Sequence, residues 1–396
     1  MIESSHRAAR RRAATAPFPP PSAAQFQSLN RGKRSIVLNL HDARARGIVH
    51  RLLPSTDVVL VNYRADAARR MGIDYDTLRG LRPDLIYVQN TAFGVRGPRA
   101  TQTGSDLMMA AYSGLIAHDG KMDEAGRPLM WAIAYSDYAT GLAMAMGICA
   151  ALFHRALTGE GQHINTSLLR TALAMQCGFV MRDPFIDPTD RDPLMQRLND
   201  LRAAGAPFPN LLSGYLERRE AWGAFRLYYG GYKAKDGALV FGALTQANRD
   251  AIRRVLRITD DTIDHPDFDA AATDSAARVA AMRETIQETL LARTVADWLA
   301  DFDAAGAPVA PVQFAEEMAD DAQVAAIGVM VDVEHDLTGP QRIVGPLLEM
   351  STTPPRVQGA APPTGRHTDA ILAELGYSAA EIDDLRATGA VEGAFQ

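Results

Sequence analysis

Apolar residues in this chain gather into short unbroken runs separated by stretches of helical period. Ser35–Leu40 (SIVLNL), Asp57–Asn62 (DVVLVN) and Leu85–Thr91 (LIYVQNT) predict three strands. Between them Asp42 caps a predicted helix reaching Leu53, and Ala65–Leu81 predicts one or two helices with Gly72 and Gly80 as breaks. Strands that read as near-continuous apolar runs are buried on both faces, and their alternation with helices predicts an α/β layout around a parallel, Rossmann-like sheet.

The stretch Leu129–Gln162 carries a different pattern. Leu129–Ala134 predicts a short strand, Ser136-Asp137 a tight corner, and Tyr138–Leu157 a long helix ending at Thr158-Gly159. Nothing ionisable at neutral pH lies between Asp137 and His154, so the helix is expected to be packed on most sides. Asp137 is then at the mouth of a buried helix, where free backbone N–H groups and the dipole hold a carboxylate ionised. Such a carboxylate is either a cap or a nucleophile.

Further along, Gln162–Leu168 predicts another strand. Residues 182–212 are rich in Asp, Pro and Asn with little periodicity and read as an excursion or linker. Tyr229–Ala243 predicts a hairpin turning at Lys235-Asp236-Gly237, and Thr294 with Asp297 predicts a helix start before Trp298. Val329–Met350 predicts a second hairpin around Thr338-Gly339-Pro340. A helix from Thr368, a turn at Gly376-Tyr377 and a helix opened by the capping box Ser378-x-x-Glu381 close the chain.

Composition narrows the class. With 47% hydrophobic and 22% charged residues the chain is globular, and 41 basic against 47 acidic residues disfavour a nucleic-acid partner. Two cysteines, Cys149 and Cys177, make neither a disulfide framework nor a zinc motif, so a reducing cytoplasm is the expected location and no metal is expected. The uncharged run Tyr138–Phe153 is shorter than the roughly 20 residues of a membrane span, and no membrane is expected. Ser5–Ala16 is rich in Arg and Ala, lacks an apolar signal core and runs into Pro17–Pro21, which predicts a solvated basic tail.

Ligands of parallel sheets bind at the carboxyl ends of the strands, here Asn39-Leu-His41, Asn62-Tyr-Arg64 and Thr91-Ala-Phe-Gly94. No G-x-G-x-x-G or P-loop follows any strand. Arg31, Lys33, Arg34, Arg64, Arg69, Arg70, Arg96 and Arg99 cluster near these ends, and arginine's planar fork suits phosphate, so a phosphorylated ligand is expected.

Several motifs together resemble one family. Leu29-Asn-Arg-Gly-Lys-Arg-Ser-Ile36, Val61-Asn-Tyr63, Arg70-Met-Gly72, Phe93-Gly-x-x-Gly-Pro98, Ser105-Asp106, Ser136-Asp137, Thr158-Gly-Glu-Gly-Gln162, Tyr232-Lys-x-Lys-Asp-Gly237, Gly306-x-Pro-x-x-Pro-Val312 and Gly365-Arg-His-Thr-Asp369 resemble, in order and spacing, the class III CoA-transferases. This is the group of formyl-CoA transferase, carnitine CoA-transferase and α-methylacyl-CoA racemase. The resemblance implies a Rossmann-like large domain built from N- and C-terminal segments, a smaller α+β domain, and two subunits joined as interlocked rings. The implied boundaries are a disordered tail at 1–25, the large domain at 26–190 and 321–396, a linker at 191–212 and the small domain at 213–320.

It further implies that CoA moves from an acyl-CoA thioester to a carboxylic acid through a mixed anhydride and a thioester on Asp137. A carboxylate nucleophile suits this, because an anhydride keeps the acyl group activated where a serine ester would trap it. Coenzyme A, as the acyl-CoA substrate, is implied to contact Leu38, Asn39, Leu40, His41, Asn62, Tyr63, Arg64, Arg70, Thr103, Gly104, Ser105 and Asp106. Asp106 is also implied to support the site. The racemase branch carries a His before that Asp; here Ser105 stands there, and a serine cannot exchange an α-proton at neutral pH, which favours transfer. Family members open with a strand-helix-strand unit before the Leu29–Ile36 motif. Only 28 residues precede Leu29, so that unit is expected to be missing, and a non-catalytic relative of poor solubility is the third reading.

Overall fold

The computed structural model describes residues 2–4, 21–129, 133–217, 223–269 and 272–393. It divides into two compact units, one of Met1–Leu115, Met130–Val180 and Met318–Gln396, the other of Ile116–Leu129 and Met181–Glu317.

The first unit opens with β1 (Ile2–Ser4), α1 (Pro21–Leu29), β2 (Ile36–Leu38), α2 (Ala43–Leu52), β3 (Val58–Val61), α3 (Ala65–Arg70), α4 (Tyr75–Leu81) and β4 (Ile86–Thr91). α5 (Asp106–Ser113), α6 (Tyr135–Thr158), β5 (His163–Ser167) and α7 (Leu168–Ala174) follow. The three predicted strands are present, and β3, β4 and β5 lie parallel in that order, with Val58 opposite Ile86 and Tyr87 opposite His163. β4 is almost wholly buried, its apolar Ile86–Val88 together with the polar Gln89 and Thr91. Asp42 caps α2 by accepting from the Arg44 N–H. The Ala65–Leu81 segment breaks at Gly72, while Gly80 stays inside α4.

Three expectations change here. Residues 1–25 are not wholly a tail, because Ile2–Ser4 pair in parallel with β2 and α1 begins at Pro21, a residue tolerated in a first helical turn; 5–20 lie outside the described residues. A strand therefore does precede β2. The fully buried β2 has peptide groups to satisfy on both edges, and β1 and a strand near the end of the chain, Val391–Glu392, take them. The expected strand at Leu129–Ala134 falls partly on 130–132, outside the described residues, and Leu129, Ile133 and Ala134 are not in a strand.

The third change concerns α6. It starts at Tyr135, so Ser136 and Asp137 belong to its first turn rather than to a corner before it. One flank packs on the sheet, where Ala151, Met144 and Ile148 meet Ile86, Val88 and Ile164. The other flank is open, with Leu142 60%, Met146 72% and Phe153 68% exposed. Apolar composition tells that a face needs cover but not which molecule supplies it. By length and hydropathy α6 is also the one candidate membrane span among the described residues; its first turn is bonded to Asp106 of α5 and its last turn, through Arg155, to Asp57 beside β3.

At the amino end of the sheet Arg155, in the last turn of α6, reaches Asp57 (2.9 Å) and Asp84 (3.5 Å), and Arg82 reaches the same two carboxylates. Arg155, as the chief partner, holds Asp57 below its ordinary carboxylate pKa. Gly161 then passes so close to the backbone of Asp84 and Leu85 that a Cβ would be 2.2 Å from the Leu85 carbonyl oxygen. α6 therefore runs from the carboxyl end of the sheet back to its amino end.

The second unit holds α8 (Arg191–Ala203), α9 (Phe208–Leu216), β6 (Tyr229–Lys233), β7 (Ala238–Gly242), α10 (Gln246–Leu256), α11 (Thr273–Leu291), α12 (Val295–Ala304) and β8 (Val309–Pro311). The expected linker at 191–212 is instead a helical pair. Leu194, Leu198 and Leu201 keep helical spacing among the polar residues, and Leu198 and Leu212 are buried. β6 and β7 form the expected hairpin, with Lys233 opposite Ala238, and β8 adds an antiparallel edge. Tyr228, Phe241, Ile286, Trp298 and Phe302 centre the core, and Thr294 caps α12 through the Asp297 N–H.

The chain returns to the first unit as β9 (Met330–His335) and β10 (Gly339–Val344), an antiparallel hairpin, then α13 (Thr368–Glu374), α14 (Ala379–Ala387) and β11 (Val391–Glu392). β11 runs antiparallel to β2, and Ile371, Leu372, Ile382 and Leu385 join the core that β2 and α2 began. The capping box of Ser378 and Glu381 forms as its spacing predicts.

Candidate active site

α5 begins at Asp106, just beyond the carboxyl end of β4. The turn into it is tight, since a Cβ on Gly104 would lie 2.5 Å from the Ala92 Cβ. Arg64, at the end of β3, donates to the Thr101 carbonyl (2.8 Å), and the Leu169 N–H donates to the Ala92 carbonyl (3.0 Å). The ends of β3, β4 and β5 are thus tied to the loop that delivers Asp106.

The first turn of α6 has no side-chain cap of its own. Its donors go to Asp106, whose Oδ1 accepts from the Ser136 N–H (2.8 Å), the Asp137 N–H (3.2 Å) and the Ser136 hydroxyl. Ser136 is buried; the Asp137 side chain reaches solvent. Among the described residues no donor reaches the Asp137 carboxylate. Crowding by surrounding protein, and second the Asp106 carboxylate, push the Asp137 pKa up. That corrects the expectation that the helix N-terminus favours its charge, because Asp106 already occupies the N–H groups that would have done so.

The other expected contact residues divide by burial. Leu38 and Leu40 are in the core, so any ligand contact they make runs through backbone atoms; Asn39 accepts from the His41 N–H, and His41 is exposed. Asn62 is exposed, Tyr63 half-buried, and Arg64 and Arg70 both face Asp66 (3.7 and 2.7 Å). Thr103, Gly104 and Ser105 are exposed in the loop before Asp106. Arg64, the 101–106 loop, Asp106 and Asp137 form one bonded neighbourhood at the carboxyl edge of β3–β4–β5, while Leu38–His41 end the middle strand of the other sheet.

Sequence reasoning missed Thr140 and Thr171. Both are buried, their hydroxyls lie 2.6 Å apart, and Thr171 Oγ1 also donates toward the Ser136 carbonyl (3.3 Å) and that of Leu168 (3.0 Å). The signal was present: Ser136 and Thr140, four apart, are hydroxyls on one face of an otherwise apolar helix. Among the described residues no cluster of His, Cys, Asp and Glu is arranged to hold a metal ion.

The model of CoA-transferase family III matches residues 2–368. The chain belongs to that family. The family III chain is 33% identical over 358 residues to a succinate–glutarate CoA-transferase of Agrobacterium fabrum, covering 89% of this chain and 81% of that protein. It is 28% identical over 390 residues to the formyl-CoA:oxalate CoA-transferase of Escherichia coli O157:H7, covering 94% and 88%. Its fold matches a CaiB/BaiF family protein from Brucella suis with a TM-score of 0.67 at 24% identity, covering 94% of this chain and 90% of that one. The family is enzymatic and its members act on CoA thioesters, which agrees with the resemblance drawn from the motifs.

Proposed function

We propose that this family III chain transfers CoA from an acyl-CoA to a carboxylic acid with Asp137 as nucleophile. An Asp137 carboxylate oxygen attacks the thioester carbonyl; the C–S bond breaks and CoA thiolate leaves, giving an acyl-aspartyl anhydride. The thiolate then attacks Cγ of Asp137, releasing the donor acid and leaving an aspartyl-CoA thioester. The acceptor carboxylate attacks that thioester and expels the thiolate. Thiolate attack on the acceptor's acyl carbon then gives the new acyl-CoA and frees Asp137.

The observation that carries this reading is the division of labour between the two aspartates. Asp106 takes the helix donors, so among the described residues none is left for the Asp137 carboxylate, which is more basic, and a more basic carboxylate is the better nucleophile toward a thioester. Arg64, Arg70 and the Thr103–Ser105 loop, beside the same sheet edge, suit the phosphates and pantetheine of CoA. The names of the relatives support dicarboxylic acids such as succinate and glutarate as donor and acceptor. The open flank of α6, with Leu142, Met146 and Phe153, supports a homodimer that covers it.

The test is to incubate the protein with succinyl-CoA and glutarate, quench, and read intact mass. A CoA adduct mapped to Asp137 and lost in Asp137→Ala is expected. Full transfer by Asp137→Ala would overturn the assignment. Light scattering reads the dimer, and a monomer at micromolar concentration would reject it.

A further inference from the structure

We propose that Thr171, seconded by Thr140, is a positioning residue for Asp137, holding one end of a peptide group whose other end is held by Asp106. The inference rests on the reading of Asp137 as nucleophile. The peptide group in question joins Ser136 to Asp137. Its N–H donates to Asp106 Oδ1 at 3.2 Å, and its carbonyl, that of Ser136, accepts from Thr171 Oγ1 at 3.3 Å.

One proton assignment serves the buried hydroxyls best. Thr140 donates to Thr171 across 2.6 Å, which leaves the single Thr171 proton for the carbonyls of Ser136 and Leu168. In a buried setting such a chain is fully satisfied only when both hydroxyls are present. With the peptide plane clamped at both ends, rotation about the bonds flanking Asp137 is restricted, and the side chain leaves the backbone in one direction. α7, which carries Thr171, follows directly from β5, so the clamp refers the carboxylate to the sheet rather than to its own helix. Thr171 touches no reacting atom; its effect passes through the backbone.

The experiment compares Thr171→Val, which keeps shape and removes the hydroxyl, with Thr171→Ser, which keeps the hydroxyl. Two readouts are taken: the rate and succinyl-CoA dependence of adduct formation on Asp137, and amide hydrogen exchange of peptides covering 134–140 without CoA. Thr171→Val is expected to slow adduct formation roughly ten- to a hundredfold at unchanged half-saturation and to speed exchange, because a misdirected nucleophile loses rate rather than binding. Thr171→Ser is expected to restore both. If Thr171→Val does not fold, Thr140→Val carries the same expectation. A folded Thr171→Val with wild-type rate and exchange overturns the clamp, as does a Thr171→Ser that is equally slow. Failure of the wild-type protein to form any Asp137 adduct would instead remove the proposed function, and the exchange comparison would still decide the clamp.

Discussion

Gly104→Ala is the substitution for which the structure gives the clearest arithmetic. The added Cβ would be 2.5 Å from the Ala92 Cβ, 3.2 Å from the Met109 Cε and 3.5 Å from a Phe93 ring carbon. The methionine tip can swing away, but the alanine methyl is fixed to the backbone at the end of β4. Ordinary carbon contacts need about 3.5–4.0 Å, so the 103–106 loop must withdraw by roughly 1 Å or more. Overpacking of this kind costs about 1–3 kcal/mol, and for a unit of this size that lowers Tm by roughly 3–10 °C. The loop carries Asp106, so the same withdrawal loosens its three bonds to Ser136 and Asp137. Misplacement by about 1 Å is worth on the order of a hundredfold in rate.

The assay pairs calorimetry with CoA transfer, and the control is built into the geometry. Ala92→Gly removes the opposing methyl while keeping the Ala92 carbonyl that accepts from Leu169, so the double variant should recover most of both losses. Gly104→Ala melting within about 1 °C of wild type and working within about twofold would refute the reasoning, as would a double variant no better than the single one.

Other expectations follow from charge and capping. The Asp137 pKa is raised in the folded protein, so the stability linked to its protonation is present at acid pH and lost as pH rises through that pKa; Asp137→Asn should melt higher than wild type at pH 7 and lose the advantage near pH 4. With Asp137 as the proposed nucleophile, the same raised pKa should make transfer fall off with acid at a higher pH than for an ordinary aspartate, and Asp106→Asn, by removing the neighbouring charge, should move that limb downward in the pH–rate profile. His163 packs at 4.6 Å on Tyr75 with its buried Nε2 unpartnered among the described residues, and burial lowers its pKa; its contribution is held above its ordinary pKa of 6.5 and lost as pH falls below that, so His163→Leu should flatten the decline of Tm between pH 7 and 5. Ser378→Ala breaks the capping box of α14 and should cost about 1 kcal/mol in denaturant unfolding without changing transfer.

What could be read from the sequence was what neighbours along the chain decide. β2, β3 and β4 announce themselves by apolar runs at Ile36–Leu38, Val58–Val61 and Ile86–Val88, and the cap at Asp42 and the box at Ser378 are local bonds between residues two or three apart. The 191–212 segment was obscured by its many polar residues, which hid the spacing of Leu194, Leu198 and Leu201. The start of α6 was misjudged for a different reason. Ser136-Asp137 looks like a pair that caps its own helix, but the cap comes from Asp106, some thirty residues earlier, and no local pattern encodes that bond. Likewise the motifs pointed to Asp137, while its basicity and the Thr140–Thr171 pair depend on residues that only the tertiary fold assembles.

The borrowed cap has a bearing on when this protein becomes reactive. A helix that supplies its own capping side chain can start anywhere along an unfinished chain, whereas the first turn of α6 has its donors answered only after α5 has docked at the end of β4. Until then the Ser136 and Asp137 amides are open to water, and the Asp137 carboxylate is an ordinary acid, no more prone to acylation than the many others in the chain. With Asp137 as the proposed nucleophile, competence would then rest on contacts between elements rather than on the helix alone, and a molecule that has lost the Asp106 bonds is expected to form no aspartyl adduct.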